Sequence, residues 1–325
     1  MTLTPSGPRL LADIGGTHIR LAWQAGAGAP LQDTRVLLCA EHPTVDAAIR
    51  AYLGSVGAPA PLCAALGMAN PVTGDWVQMT NHSWAFSQTA LAQALGLQRL
   101  VVINDFTALA LALPALPPTL LRQVGGVAAV PGAAVALVGP GTGLGVSGLV
   151  FPPGSAAGVP LSGEGGHVTL AAENELEFDV LQRLRQRYGH VSAERAVSGQ
   201  GLVDLYHAVR ERAGHAGAEV NLAAQVTELA LVQQDPLAQQ ALALFCGFLG
   251  SVAGNLALTL GARGGVYLGG GILPRLGDWL DRSPFRTRFE AKGRFQPYLA
   301  EIPCWVIDAS AQPALLGVAR ALDLP

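Results

Sequence analysis

Short apolar runs, glycine-rich turns and longer stretches of helical period alternate along this chain. Leu10 to Ile14 is apolar apart from Asp13, Gly15-Gly16-Thr17 turns the chain, and Ile19 to Trp23 alternates apolar and polar like the second strand of a hairpin. Thr34 to Cys39 predicts a third strand, and Pro61 to Met68 a buried one. Between them, Thr44 to Leu53 places Val45, Ala48, Ile49 and Leu53 on one face of a helix. Asn70 to Ser87 is read as an ordered loop or hairpin onto which the rings of Trp76, Trp84 and Phe86 pack down, with a short helix beginning at Ser87. Val101-Val102-Ile103 then runs into Asn104-Asp105 and a new apolar segment to Leu113, the pattern of a strand feeding a helix.

From Leu113 to Gly132 the composition shifts to proline and glycine, which predicts a crossing between domains. Ala133 to Val138 starts a second set of strands and leads into Gly139-Pro140-Gly141-Thr142-Gly143-Leu144-Gly145, after which Val146 to Phe151 returns as a strand. The device of strand, glycine turn with threonine, and strand thus occurs twice. Helices are predicted over Glu177 to Tyr188, Leu202 to Arg212, Val220 to Leu231 and Asp235 to Leu260, separated by the exposed connection Ala213 to Glu219 and other short breaks. Val266-Tyr267-Leu268 is a strand before a third glycine run, Gly269-Gly270-Gly271. Phe285 to Phe295, rich in Arg and Lys, is read as a solvated edge segment, Ile302 to Ile307 as a late strand, and Pro313 to Leu322 as a final helix.

Composition narrows the classes. Half of the 325 residues are apolar and 13% are charged, so the chain folds around a large core. The net charge of -3 argues against nucleic acid as a partner. Cys39, Cys63, Cys246 and Cys304 lie far apart without metal-ligand spacing, which predicts a reducing, cytoplasmic compartment and no zinc. Met1 to Leu10 lacks the long apolar run of a signal peptide. Ala241 to Leu260 carries no charge, yet its Gly247, Ser251, Gly254 and Asn255 suit a buried helix, so no membrane span is expected. Lys292 is the single lysine, and no G-x-x-x-x-G-K-[ST] loop exists. Phosphates bound by this chain are held by backbone N–H groups, arginine, hydroxyls or a metal.

The candidate chemistry follows from placement. A carboxylate at the C-terminal end of a strand in an open α/β sheet sits where ligands bind, so Asp105 either caps the next helix or removes a proton from a bound hydroxyl. Gly15, Gly16 and Thr17, like Gly141, Thr142 and Gly143, expose bare amides to an anion. Two such hairpins on two domains would enclose one phosphate chain between them. Glu164 and His167, set among glycines, are suited to grip a polyol. Glu194 falls in the first turn of a short helix, where the dipole favours its charge. Gly269 to Gly271 would let a flat base or ribose approach the backbone.

Taken together, Asp13-Ile14-Gly15-Gly16-Thr17, Thr73-Gly74-Asp75-Trp76-Val77, Thr80-Asn81-His82-Ser83-Trp84-Ala85-Phe86-Ser87, Ile103-Asn104-Asp105-Phe106-Thr107, Gly163-Glu164-Gly165-Gly166-His167-Val168 and His190-Val191-Ser192-Ala193-Glu194-Arg195 resemble the bacterial ATP-dependent glucokinase family of the non-ROK kind. The resemblance runs on to Pro313-Ala314-Leu315-Leu316-Gly317 and so covers essentially the whole chain. The cysteine-rich zinc motif usual in ROK sugar kinases is missing.

The resemblance implies an α/β chain with the actin-like ATPase (ribonuclease H-like) sugar kinase fold. Its two domains, with a cleft between them, would be residues 1–112 plus about 308–325 and residues 113–307. It implies phosphorylation of the 6-hydroxyl of D-glucose by MgATP in a cytoplasmic homodimer, with neither nucleic acid nor membrane as partner. Asp105 resembles the base, Asn104 a partner of the sugar's 3- and 4-hydroxyl side, and Glu164, His167 and Glu194 the remaining sugar ligands. Asp13 resembles the residue that organises magnesium through water. Gly15, Gly16 and Thr17 resemble the first phosphate hairpin, Gly141, Thr142 and Gly143 the second, and Gly269, Gly270 and Gly271 the adenosine-side loop. His18, Pro140 and Ser162 depart from the family pattern, which bears on the phosphate donor. A kinase of the same fold with another hexose or donor, and a non-enzymatic sugar sensor, are the alternatives.

Overall fold

The computed structural model describes residues 7–80, 82–155, 157–215, 220–308 and 313–324. Asn81, residues 1–6 of the leader reading and the later part of the connection read over 213–219 lie outside the described residues. The chain divides into two compact units, Met1–Leu116 with Gln312–Pro325, and Pro117–Ala311.

The first unit holds strands β1 (Arg9–Ile14), β2 (His18–Gln24), β3 (Gln32–Leu38) and β4 (Cys63–Met68), a small hairpin of β5 (Trp76–Gln78) and β6 (Ala85–Ser87), and β7 (Arg99–Asn104). Helix α1 (Val45–Val56) lies between β3 and β4, α2 (Gln88–Leu95) follows β6, and α3 (Asp105–Ala112) follows β7. The main sheet runs β3-β2-β1-β4-β7, with β3, β2 and β1 antiparallel and β1, β4 and β7 parallel.

Strand alternation sorts β1 onto two faces. Leu10, Ala12 and Ile14 pack with Ile49 and Tyr52 of α1 and Leu91 of α2. Leu11 faces the other way, onto a core that includes Ala108 of α3. Thr44 caps α1 through the Ala47 N–H, and Ser87 caps α2 through the Ala90 N–H. In the β5–β6 hairpin Trp84 is buried and its indole N–H donates to the His42 carbonyl at 3.0 Å. Trp76 does not pack down as expected and stands 64% exposed, on the solvent side of the three-residue strand.

The second unit contains β8 (Leu121–Gln123), β9 (Val135–Pro140), β10 (Leu144–Val150), β11 (Val159–Pro160), β12 (Val266–Leu268) and β13 (Cys304–Ile307), in the order β11-β10-β9-β12-β13-β8. Here too a hairpin with a third antiparallel strand, β11-β10-β9, continues into parallel strands β12 and β13. Both units therefore carry the same core topology, built outward from a strand–glycine turn–strand pair.

Its helices are α4 (Glu175–Tyr188), α5 (Ala193–Ala196), α6 (Gly199–Arg212), α7 (Ala223–Leu231), α8 (Pro236–Leu260), α9 (Trp279–Arg282), α10 (Phe285–Glu290) and α11 (Gln296–Glu301). Helix α8 is long and apolar enough to cross a membrane, but it is mostly buried at the centre of the unit against α6, α7 and α10. Asp235 caps it through the Ala238 N–H, with Pro236 at its first turn.

The reading of Phe285 to Phe295 as a solvated edge holds for its C-terminal part, where Ala291 and Gly293 to Phe295 are exposed, and fails for its first half. Phe285 and Phe289 are fully buried, and glycines of α8 let the backbone of α10 lie against it: a Cβ on Gly250 would strike the Phe285 carbonyl, and one on Gly254 the Phe289 carbonyl. Arg286, Arg288 and Lys292 turn inward, while Arg294 stays exposed. Arg288 pairs with Glu177 and Glu173, and Arg286 donates to the Leu299, Ala300 and Ile302 carbonyls. After a 3₁₀ turn over Gly165–His167 the chain forms a lone bridge between Thr169 and Ser192.

The last helix, α12 (Pro313–Ala321), belongs to the first unit, where it packs on α3, β1 and β4. A Cβ on Gly317 would overlap the Ala108 carbonyl, so glycine sets the α3–α12 approach. Beyond the helix, Asp323 pairs with the buried Arg9 at 2.8 Å, and Arg99 donates to the Leu324 carbonyl at 2.7 Å.

Candidate active site

In the first unit, three parallel strands bring the predicted residues to one edge. Asp13 pairs in register with Gly67, and Gly67 with Ile103, so Asp13 stands two strands from the β7 end that leads to Asn104 and Asp105. Two strand spacings amount to about 10 Å between these backbones. Asp13 shares the strand face of Leu11, the face covered by α3, and Asp105 is the first residue of α3.

The helix cap belongs to Asn104, not Asp105. Asn104 Oδ1 accepts from the Phe106 and Thr107 N–H groups at 2.9 and 3.2 Å. This leaves Asn104 with only its amide N–H groups to offer a ligand. One of these donates to the Asn70 carbonyl at 3.5 Å. Asn70 is buried, and the sequence marks it only as the start of the segment read as a loop or hairpin to Ser87. Asp105 is half-buried, accepts the Phe106 N–H at 2.9 Å, and sits where the helix dipole favours negative charge.

The turn Gly15-Gly16-Thr17 is closed by its own backbone. The Gly15 N–H donates to His18 O at 2.9 Å, and the Cys39 N–H to Thr17 O at 2.9 Å. Thr17 and His18 are exposed beside it. Burial raises the Asp13 carboxyl above the usual carboxylate range, and the Arg20 guanidinium at 3.2 Å opposes that rise. Arg20 was not singled out by its sequence context.

In the second unit the turn Gly141-Thr142-Gly143 joins β9 to β10, and every other predicted segment of this unit converges on it. Pro140 is not inside the turn but ends β9, where its carbonyl lies against Gly270, whose φ is +82°. The Gly269 N–H donates to Val138 O at 3.0 Å, which fixes Gly269 to Gly271 beside the turn. Gly166 lies against the Leu144 carbonyl, too close for a Cβ, and this seats the Glu164–His167 turn on β10. Glu164 and His167 are exposed, with the His167 N–H on Glu164 O at 3.0 Å. The Ala193 N–H donates to Val168 O at 2.8 Å and the Leu170 N–H to Val191 O at 3.0 Å, tying that segment to the one that carries Glu194.

Glu194 does not spend its carboxylate on its own four-residue helix. Its Oε2 accepts the Leu144 N–H at 2.8 Å, at the foot of the glycine turn. A third tie comes from Gly199, whose N–H donates to Gly141 O at 2.8 Å. Neither Leu144 nor Gly199 had a sequence signal beyond proximity to glycine. Glu194 and Arg195 are held from behind, where the Arg195 guanidinium stacks 4.2 Å from the Tyr188 ring and the Tyr188 hydroxyl donates to Asp204 at 2.6 Å.

The four cysteines are free and buried, and among the described residues no cluster of three or more His, Cys, Asp or Glu side chains is arranged to hold a metal ion.

The glucokinase family profile matches residues 10–324. A glucokinase of Aromatoleum aromaticum is 55% identical over 97% of this chain and 95% of its own length, and one of Neisseria gonorrhoeae is 51% identical over 97% and 94%. The crystal structure of a glucokinase from an Antarctic psychrotroph superposes with a TM-score of 0.88 at 35% identity, covering 98% of this chain and 99% of that one. The two-unit α/β architecture, the paired glycine hairpins and these likenesses agree: the chain belongs to the bacterial, non-ROK glucokinase family of the actin-like sugar kinase fold.

Proposed function

We propose that the chain transfers the γ-phosphoryl group of MgATP to the 6-hydroxyl of D-glucose, giving glucose 6-phosphate and ADP. The observation that carries this reading is the placement of Asp105. It is a carboxylate at the first position of α3, just past the C-terminal end of parallel strand β7, and Ala108 of α3 packs on the sheet face that Asp13 shares with Leu11.

Asp105 accepts the 6-hydroxyl proton as that oxygen attacks. A sugar hydroxyl is a very weak acid, so the proton moves late, when negative charge has left the attacking oxygen for the phosphoryl group. Asp105 lies in the first turn of α3, where the helix dipole favours a negative charge. Asn104 donates its amide N–H to a sugar oxygen, since its Oδ1 is occupied by the cap. Glu164, Glu194 and His167 receive the other hydroxyls, and an epimer leaves one of these groups unpaired.

The residues present fit a phosphate chain with its cation. Gly141 and Gly271 have neither a left-handed φ nor any neighbour that a Cβ would meet, so their bare backbone leaves room for a phosphate or nucleoside to approach closely. Asp13 is a mostly buried carboxylate whose charge a cation stabilises. Magnesium, when bound, neutralises the phosphate oxygens and orients them for in-line displacement. Gly15, Gly16, Thr17, Thr142 and Gly143 offer N–H and hydroxyl donors to the same oxygens, and Gly269 to Gly271 admit the adenosine. Pairing of two such chains into a homodimer belongs to the same reading and is checked by light scattering.

A coupled assay of glucose 6-phosphate with glucose and MgATP, beside a control without magnesium, tests the reaction. Asp105→Asn is expected to keep glucose binding while turnover falls at least ~100-fold. Near-normal turnover in that variant would remove Asp105 as the base.

A further inference from the structure

Gly143 sits in the turn assigned to phosphate, but the reason it must be glycine lies elsewhere. Its φ is outside the left-handed region, so its backbone conformation is open to any residue. What a Cβ there would meet is the carboxylate of Glu194, closer than van der Waals contact allows. The same carboxylate is held by the N–H of the next residue, Leu144, at 2.8 Å. The turn therefore does two things to Glu194: one amide grips an oxygen, and one missing side chain leaves the space in which that oxygen lies.

We propose that Gly143 is a positioning residue for the sugar site, acting through Glu194, so that a turn facing the phosphate chain also sets glucose affinity and epimer selectivity. The proposal rests on the reading of Glu194 as a sugar ligand. The steric consequence is specific. The atom a Cβ meets is the tip of a flexible side chain rather than backbone, so alanine at position 143 leaves the fold intact and displaces only the carboxylate. Displacement breaks the Leu144 hydrogen bond, and Glu194 then spreads over several rotamers instead of presenting its second oxygen in one place. A sugar hydroxyl that met a fixed acceptor now meets a mobile one, and the loss falls on ground-state binding before it falls on phosphoryl transfer.

The test is a double-mutant cycle read in glucose affinity, with KM for glucose and for MgATP measured separately. Gly143→Ala is expected to weaken glucose binding about tenfold in calorimetry without nucleotide, with KM for MgATP changed less than about threefold and Tm within about 2 °C of the parent. Glu194→Asp shortens the side chain away from the new Cβ. The double variant Gly143→Ala/Glu194→Asp is therefore expected to bind glucose at least about fivefold better than the product of the two single losses predicts. Additive losses, or a rise in MgATP KM with glucose affinity unchanged, overturn the proposal and return Gly143 to the phosphate chain alone. Glu194→Gln separates the two levels. Glucose affinity unchanged in that variant removes Glu194 from the sugar site altogether, whereas a loss there beside an unaffected Gly143→Ala overturns only the positioning role.

Discussion

The two glycine hairpins have the same topology and opposite surroundings. Gly15-Gly16-Thr17 is closed by its own backbone and by Cys39, and its one distinctive neighbour is a buried carboxylate, Asp13. Gly141-Thr142-Gly143 is a junction: the Glu194 carboxylate, the Gly199 amide, the Gly270 backbone and the Gly166 turn all bear on it or on its strand ends. The same turn length and strand pairing thus serve one site whose character is local charge and another whose character is convergence of distant segments. Substitutions in the first hairpin should act on chemistry with little effect on the fold, and those around the second should act on the fold or on neighbouring binding groups.

The largest expected effect is at Asp13. Asp13→Asn is expected to lower kcat/KM for MgATP about 100-fold. The same change should leave Tm unchanged or slightly raised, because the buried carboxylate gives up a charge whose solvation it lacks. The sign follows from its raised pKa. The ligand-free fold binds this proton more tightly than the unfolded chain does. Stability supplied by Asp13 is therefore present below the ordinary carboxylate pKa and is lost as pH rises through the raised value. Thermal melts of both proteins across the acid range check this, and a clear drop in Tm for Asp13→Asn would end the contrast.

Next in size is Gly166→Ala, whose Cβ would strike the Leu144 carbonyl, a backbone atom that cannot swing away. Overpacking of this kind costs about 1–3 kcal/mol. Urea unfolding should show that loss, with glucose affinity falling alongside because the Glu164–His167 turn shifts. The smallest is Gly15→Ala. Its φ is not left-handed, and its Cβ would come no nearer than 3.5 Å to His18 O. Its stability should change by less than about 1 kcal/mol, and only KM for MgATP should move. A destabilisation as large as that of Gly166→Ala would mean the two hairpins are wired alike.

Much of this was legible from the chain. Strand alternation around Gly15 and Gly141 announced both hairpins, because a glycine turn between apolar runs leaves few alternatives. Asp105 was legible as a residue at a strand end, but whether it or Asn104 capped α3 was not, since both are good caps and only the geometry distributes the hydrogen bonds. The first half of Phe285 to Phe295 was misread because charge counting is local. Arg288 finds Glu177 from a helix more than a hundred residues earlier, and Arg286 finds carbonyls at the ends of α11 and ahead of β13. Glu194 was assigned to a helix dipole for the same reason: its partner, the Leu144 amide, is fifty residues away. Trp76 and Trp84 look equivalent in the sequence, yet Trp84 is buried with its indole N–H on the His42 carbonyl and Trp76 is exposed. What was hidden in each case was a partner supplied by tertiary packing.

The return of α12 to the first unit has a consequence for how the protein comes into being. The second unit is continuous in sequence and has all its strands once β13 has been made, whereas α3 and the faces of β1 and β4 lack the helix that packs on them until Pro313–Ala321 emerges. On the ribosome the earlier half must therefore wait, with Leu11, Ala65 and Ala108 uncovered, while nearly two hundred residues of the other unit are synthesised and folded. The proposed base is the product of an early stretch of chain, and it gains its supporting layer only after the whole of the other unit has been made.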